Sequence, residues 1–323
     1  MNRFICIVCA GILVLFSVGC DEAFSPKGPH TPQVVVYSIL NPKEGRQFVR
    51  LSVTYDVEGF DPLTRSVDES ISGAIVTVTQ GTQTLTFRDT IVAREDTSRY
   101  KTPVAAYVAD PFLLQPGSSV SLSINTPKHG ILTAETRIPS RGYISVTNAY
   151  VLRTLGSLDP RIVVLIQIAP QARGYYLRYY IVYDVTQNNT VRRERRAFPQ
   201  SVIIYASTNR YDFVYPKLER RSAEPFLQNL HTETVIIDQL GYQMVLEDII
   251  EQYGADNLRF QHVLFELIQV DPPLYNYYNI VNGFQDEFSI RTDLPDYTNI
   301  RGGIGVFGSF TVDTLLVSLP SRF

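Results

Sequence analysis

The chain has 323 residues, 29 lysines and arginines against 32 aspartates and glutamates, and a formal charge of −3. No net basic field draws it to nucleic acid or to acidic headgroups, and its length accommodates two domains of about 100–200 residues each. Tyrosine is abundant at 20 residues, phenylalanine follows at 17 and tryptophan is absent; aromatic and β-branched residues suit pleated, half-buried surfaces, so a mainly β fold is expected.

The first predicted element is an export signal. Arg3 is followed by an uncharged apolar run over residues 4–18 and then by Gly19-Cys20-Asp21-Glu22. The run falls short of the roughly 20 apolar residues that cross a bilayer but has the length of a secretory h-region. Ser17-Val18-Gly19-Cys20 resembles the bacterial lipobox, with Ser17 where that pattern prefers leucine, which implies cleavage before Cys20 and lipidation of its sulfur. Residues 1–19 therefore read as a lipoprotein signal peptide. Cys6 and Cys9 form a C-x-x-C, a spacing used elsewhere for redox or zinc chemistry, but both lie in the apolar run and leave with it. Cys20 then stands alone, with no intramolecular disulfide to make. One acyl chain binds a membrane marginally and two or three together hold it, so the partner of this terminus is a membrane. Residues 20–31, with Ser25-Pro26-Lys27-Gly28-Pro29-His30-Thr31, form a proline-punctuated tether that favours extended conformations.

Short strands follow. Residues 34–40 make an apolar strand stopped by Asn41-Pro42, and residues 47–54 alternate, with Val49, Leu51 and Val53 facing in and Arg50 and Ser52 facing out. Residues 74–79 and 84–88 flank Gln80-Gly81-Thr82-Gln83, a hairpin turn. Leu114-Gln115-Pro116-Gly117 turns into a strand with Val120, Leu122 and Ile124 on one face, residues 131–138 form another, and Pro139-Ser140-Arg141-Gly142 closes the unit. Such turn-punctuated spacing predicts an immunoglobulin-like or transthyretin-like β-sandwich over residues 32–140.

Residues 141–323 read as a second β-rich domain with one or two short helices. Strands are expected at 162–168, 175–185, 202–206, 234–238, 260–270, 304–307 and 309–318, with a helical rhythm at 244–251. Asp271 followed by Pro272-Pro273 is an N-cap with proline at the first helical position, opening a helix that runs to about Gly283.

Several groups of residues are candidates for function. Tyr175, Tyr179 and Tyr183 on one strand, with Tyr275, Tyr277 and Tyr278 on the helix, offer flat apolar faces with hydroxyls, and form either a ligand surface or strand core. The cluster Arg192-Arg193-Glu194-Arg195-Arg196 contacts phosphate-rich lipid or an acidic partner, or guards an edge strand as a solvated hairpin tip, and the internal glutamate and acidic remainder of the chain favour the last reading. Gly303-Ile304-Gly305-Val306-Phe307-Gly308 spells the dinucleotide fingerprint, but too few residues follow Gly308 for the helix, strand and acidic residue that a nucleotide-binding unit requires. Gly302, Gly303, Gly305 and Gly308 are read instead as a glycine-lined structural turn between packed strands. His30, His129, His231 and His262 lack metal-ligand spacing, and no nucleophile elbow, zincin motif or phosphate loop occurs. No metal, nucleotide or other cofactor is expected, and no catalytic residue is assigned. A hydrolase would have to assemble an acid pair from distant carboxylates such as Asp184, Asp238, Glu247, Asp248, Asp286 or Glu287.

Val34-Val35-Val36-Tyr37, Ser72-Gly73-Ala74-Ile75-Val76-Thr77-Val78, the Leu114-Gln115-Pro116-Gly117 turn, Thr136-Arg137-Ile138-Pro139 and the run from Asn299 through Arg301-Gly302-Gly303 to Gly308 together resemble the domain-of-unknown-function 4249 family of Bacteroidota lipoproteins. The resemblance covers essentially the whole chain after the signal, and its terminal glycine-rich run is the more specific part. It implies an outer-membrane-associated lipoprotein, held on the periplasmic face or the cell surface, of a kind commonly encoded beside TonB-dependent transporters and without established activity. The expectation is thus a non-catalytic binding or accessory module whose partner is an outer-membrane transporter or surface component. The alternatives are a surface adhesin or glycan-binding module and, more remotely, a hydrolase.

Overall fold

In β1 (Val34–Leu40), Val34, Val36, Ser38 and Leu40 point inward while Tyr37 faces out, the period of two that a half-buried strand requires. The computed structural model of the protein describes residues 30–57, 61, 64, 68, 70–94, 97, 100, 103–111, 113–154, 160–208, 210–221, 231–282 and 297–323. The signal peptide, Cys20 and most of the tether lie outside them, as do Gly283, Asp286 and Glu287. Gln33–Phe323 form a unit of their own, distinct from Met1–Pro32.

The front of that unit is a sandwich of β1, β2 (Gln47–Val53), β3 (Ile75–Gln80), β4 (Gln83–Val92), β5 (Val104–Ala109), β6 (Ser119–Thr126) and β7 (Gly130–Arg137). The strands follow one another in the order β1-β2-β5-β4-β3-β6-β7. Strand β4 belongs to both layers: residues up to Phe87 pair with β3, and those from Arg88 pair with β5. A strand that changes sheets at a bend closes a sandwich without a separate crossover. The alternation expected for Val120, Leu122 and Ile124 is present, and all three are buried. Strand β5 has no legible alternation, since Val104-Ala105-Ala106 is small and apolar on both faces.

The second half of the unit packs two sheets around its own core. One holds β8 (Tyr143–Val146), β9 (Arg161–Ile168) and β15 (His231–Asp238) in the order β15-β9-β8. The other holds β10 (Gly174–Gln187), β11 (Thr190–Ala197), β16 (Leu258–Val270) and β17 (Ile304–Ser318), with the two-residue β14 (Glu219–Arg220) beside β10. Asn188 and Asn189, at φ 50° and 60°, turn β10 into β11, the left-handed pair that a tight hairpin takes. Helix α1 (Gln239–Tyr253) lays Tyr242, Leu246 and Ile249 onto this core. Helix α2 (Pro272–Asn282) opens at Asp271 as expected, with Leu274 N–H donating to Asp271 Oδ1 at 2.8 Å. The ribbon of β12 (Ser201–Tyr205) and β13 (Arg210–Val214) is a two-stranded sheet of its own.

The two strands expected at 304–307 and 309–318 are one. Strand β17 runs unbroken, and its first half pairs in parallel with β1 while its second half pairs antiparallel with β16. One strand thereby joins both cores, and Ile300 and Phe307 from the end of the chain complete the core of the front sandwich. Glycine makes the passage sterically feasible. A Cβ on Gly305, whose φ is 115°, would stand 2.0 Å from the Val36 carbonyl oxygen, and one on Gly303 would stand 2.7 Å from that of Val34. Gly302 and Gly303 form the turn, whereas Gly305 and Gly308 lie in the strand, so the glycine run is structural but only its first half turns the chain.

Candidate functional site

The structure separates the tyrosines that sequence placed on one surface. Tyr175, Tyr179 and Tyr183 point into the second core, with Tyr179 only 2% exposed and its ring tilted at 42° against Phe198, 4.6 Å between centroids. Burial pushes the Tyr179 hydroxyl well above the usual phenol range. These three are core and not a ligand surface: the Tyr175 hydroxyl donates to Glu233 of β15, Tyr179 packs on Phe198 and Phe265, and Tyr183 packs on Phe260 and on Tyr253 of α1. Tyr275, on α2, is also buried, packed with Val270 and Leu274. Only Tyr277 and Tyr278 reach the surface, half-buried, in edge contact with each other at 5.9 Å, while Tyr277 meets Tyr37 at 6.1 Å.

The arginine cluster is not a hairpin tip but the body of β11, the edge strand of its sheet. Arg193 clasps Asp184 at 2.8 and 3.1 Å, Arg192 pairs with Glu194, Arg196 pairs with Asp248, and the Arg195 guanidinium lies 4.8 Å from the Tyr180 ring centroid. Arg193 holds the Asp184 carboxyl below its ordinary range. Among the carboxylates weighed for an acid pair, Asp184 and Asp248 are thus engaged by arginine, Asp238 accepts from the Val202 amide at 3.3 Å, and Asp286 and Glu287 lie outside the described residues. No group of three or more potential metal ligands occurs among the described residues. None of their helices is long and apolar enough to cross a membrane.

Two surfaces have the makings of a site. The first is the β12–β13 ribbon, which sequence marked only as a strand at 202–206. Its base is tied down: Gln200 N–H donates to Val214 O at 2.7 Å, and Gly241 of α1 leaves no room for a Cβ beside Pro199. The register sets Val202 opposite Phe213 and Ile204 opposite Tyr211, so these four and Tyr215 share one face. Ile204 is 62% exposed and Tyr211 50%. The Tyr211, Phe213 and Tyr215 rings follow one another at 5.4 and 6.5 Å along that face. The opposite face carries the Arg210–Asp212 ion pair together with the exposed side chains of Ile203, Tyr205 and Val214. The alternation of Tyr211, Phe213 and Tyr215 was the available signal, but alternation marks an apolar face without saying whether anything covers it.

The second surface is a groove of about 640 Å³ where the two cores meet, floored by Thr311, Asp313 and Leu315 of β17 and walled by Arg141–Ile144 and Leu113–Pro116. Asp313 accepts from Gly142 N–H at 2.8 Å and from Gln269 Nε2 at 3.1 Å. Desolvation raises its carboxyl, opposed by those two donors and by the nearby charges of Arg141 and Lys43. Thr311 is 4% exposed and its Oγ1 has no hydrogen-bond partner among the described residues. Polar residues at inward positions of an apolar strand were the only sequence signal here.

A family model described as a domain of unknown function (DUF4249) matches residues 21–315. No curated protein matches the chain. Among solved structures, the C-terminal globular domain of an oligosaccharyltransferase from Pyrococcus abyssi is similar at 11% identity and a TM-score of 0.26, over 77% of this chain. The chain spans 50% of that structure's length.

Proposed function

Because the chain belongs to the DUF4249 family, a domain family of unknown function, we propose its role from its own surfaces: a non-catalytic, lipid-anchored accessory module of the outer membrane. It docks a membrane protein, of the TonB-dependent transporter class, through the apolar face of the β12–β13 ribbon. The observation that carries this reading is that face. An isolated two-stranded ribbon is marginal in water, and a contiguous apolar patch rimmed by polar residues is the usual mark of a protein contact. Aromatic side chains at the centre of such a patch supply most of the binding energy when a partner excludes water from them. The engaged states of Asp184 and Asp248 support the non-catalytic reading.

Localisation rests on Cys20, whose lipid would hold the chain on the periplasmic face or the cell surface without help from the folded part. A glycan-binding role is the second reading, favoured by the surface cluster of Tyr37, Tyr277 and Tyr278, since tyrosine rings stack on sugar faces.

Fractionation and crosslinking in the native cell test the proposal. Wild type is expected with the membrane and Cys20→Ala in the soluble fraction. Crosslinking of wild type is expected to capture a transporter that the Ile204→Asp, Phe213→Asp double variant loses. Identical fractionation of wild type and Cys20→Ala overturns the anchor, and undiminished capture by the double variant overturns the docking face.

A further inference from the structure

The second half of β17 has one partner where a strand inside a sheet has two. Strand β1 pairs with it only as far as Ser309, and β16 pairs with it from Phe310 to Ser318 on the other side. Backbone amides and carbonyls alternate between the two edges of a strand. The Ser309 carbonyl accepts from Asp271 N–H, and Leu319 N–H donates to Gln261 O, which places the odd-numbered residues toward β16. The amides and carbonyls of Val312, Thr314 and Leu316 therefore point to the open edge, and among the described residues no strand pairs with them. At the far end, Arg153 Nε donates to Ser318 O at 3.1 Å, a side chain bonded to the same edge.

Natural edges of this length are guarded by proline, by bulges or by inward charges. No proline interrupts β17, and its register with β16 is unbroken. Asp313 is the one inward charge, and Gly142 and Gln269 already hold it. The groove between the two cores runs along this edge. Lys43, Arg141 and Arg153 flank the edge, three cations against the single Asp313 carboxylate.

We propose that the open edge of β17 over Val312–Leu316 receives an extended, acidic segment of a partner polypeptide, which adds as a further strand and lies in the groove beside Tyr143 and Leu113. Main-chain pairing with Val312, Thr314 and Leu316 provides the affinity. The flanking cations select acidic side chains. This surface is distinct from the β12–β13 ribbon, so the two proposals fail separately.

Proline tests the edge selectively, because the Thr314 amide faces away from β16 and its loss leaves that ladder intact. A phage-displayed library of twelve-residue peptides is panned on the purified wild-type protein with counter-selection on Thr314→Pro. Recovered peptides are expected to be enriched in aspartate and glutamate and to bind Thr314→Pro at least tenfold more weakly. They should also slow hydrogen exchange at the Val312, Thr314 and Leu316 amides. Arg141→Glu, outside the strand, should weaken the same peptides at least tenfold and covers the case in which the proline variant does not fold. Absence of any selectively bound peptide, or binding that leaves those three amides exchanging as before, overturns the proposal. So does a concentration-dependent dimer of the wild type that Thr314→Pro abolishes, since the occupant would then be a second copy of this chain.

Discussion

Thr136, in the front sandwich, donates its hydroxyl to the carboxylate of Asp271, which opens α2 beside the second core. The same carboxylate accepts from Ser309 Oγ at 2.7 Å, in the middle of the strand that joins both cores. One fully buried side chain therefore ties together β7, the start of α2 and β17. Removing it would orphan two buried hydroxyls and a helix-terminal amide at once.

Asp271→Ala is accordingly expected to lower the unfolding free energy by about 2–4 kcal/mol, from loss of the cap and of buried hydrogen bonds. Asp271→Asn keeps an oxygen for the Leu274 amide and should lose less. Urea unfolding of the three proteins checks the ranking, and an alanine variant as stable as wild type would show that the node carries no energy.

The same group predicts a pH dependence. Burial lifts the Asp271 carboxyl to about 6, against the hydrogen bonds from Thr136, Leu274 and Ser309 that pull it down. Its folded value exceeds its ordinary value of 3.8, so between those two values the native state holds a proton that the unfolded chain has lost. Stability then falls as pH rises through that window. Relative to Asp271→Asn, wild type should lose on the order of 3 kcal/mol between pH 4 and pH 7. Parallel curves for the two proteins across that range would contradict the buried-carboxylate account.

Gly305→Ala should destabilise by about 3 kcal/mol or more, because the new Cβ meets the Val36 carbonyl oxygen and the residue sits at φ 115°. Gly45, where a Cβ has nothing within 4 Å, is the control, and Gly45→Ala should be within about 0.5 kcal/mol of wild type. Thermal melts of both variants decide the point.

Tyr179 separates a core role from a binding role. Its hydroxyl is buried without a hydrogen-bond partner among the described residues, so Tyr179→Phe should be neutral or stabilising by about 1 kcal/mol. Tyr179→Ala removes a ring packed between Phe198 and Phe265 and should cost about 3–5 kcal/mol. A ligand-surface residue would show the reverse pattern, with little effect on stability from either change.

On the ribbon, Ile204→Ser and Tyr211→Ser should change stability by less than about 0.5 kcal/mol, since both side chains are largely exposed. Both should reduce binding of an apolar dye such as ANS to the native protein. A large stability loss would mean that the ribbon's apolar face is covered within the chain.

Periodicity, caps and turns were legible in the sequence because they are set by contacts between near neighbours along the chain. The alternation of Val120, Leu122 and Ile124, the stop at Asn41-Pro42 and the Asp271 cap all appear where local pattern put them. The apolar run before Cys20 is likewise a purely local signal. What tertiary structure alone decided is which faces are covered. Strand β10 carries tyrosines on both sides, and its pattern cannot say that Tyr175, Tyr179 and Tyr183 are the ones enclosed in the core with Phe198 and the residues of β9 and α1. The ribbon's aromatic alternation reads the same whether or not a neighbour lies upon it. The merging of two expected strands into β17 depends on β1 and β16, which precede it by many residues and grip opposite edges of its two halves. Burial and edge pairing are properties of distant segments brought together, and a one-dimensional pattern records only one of the two surfaces that meet.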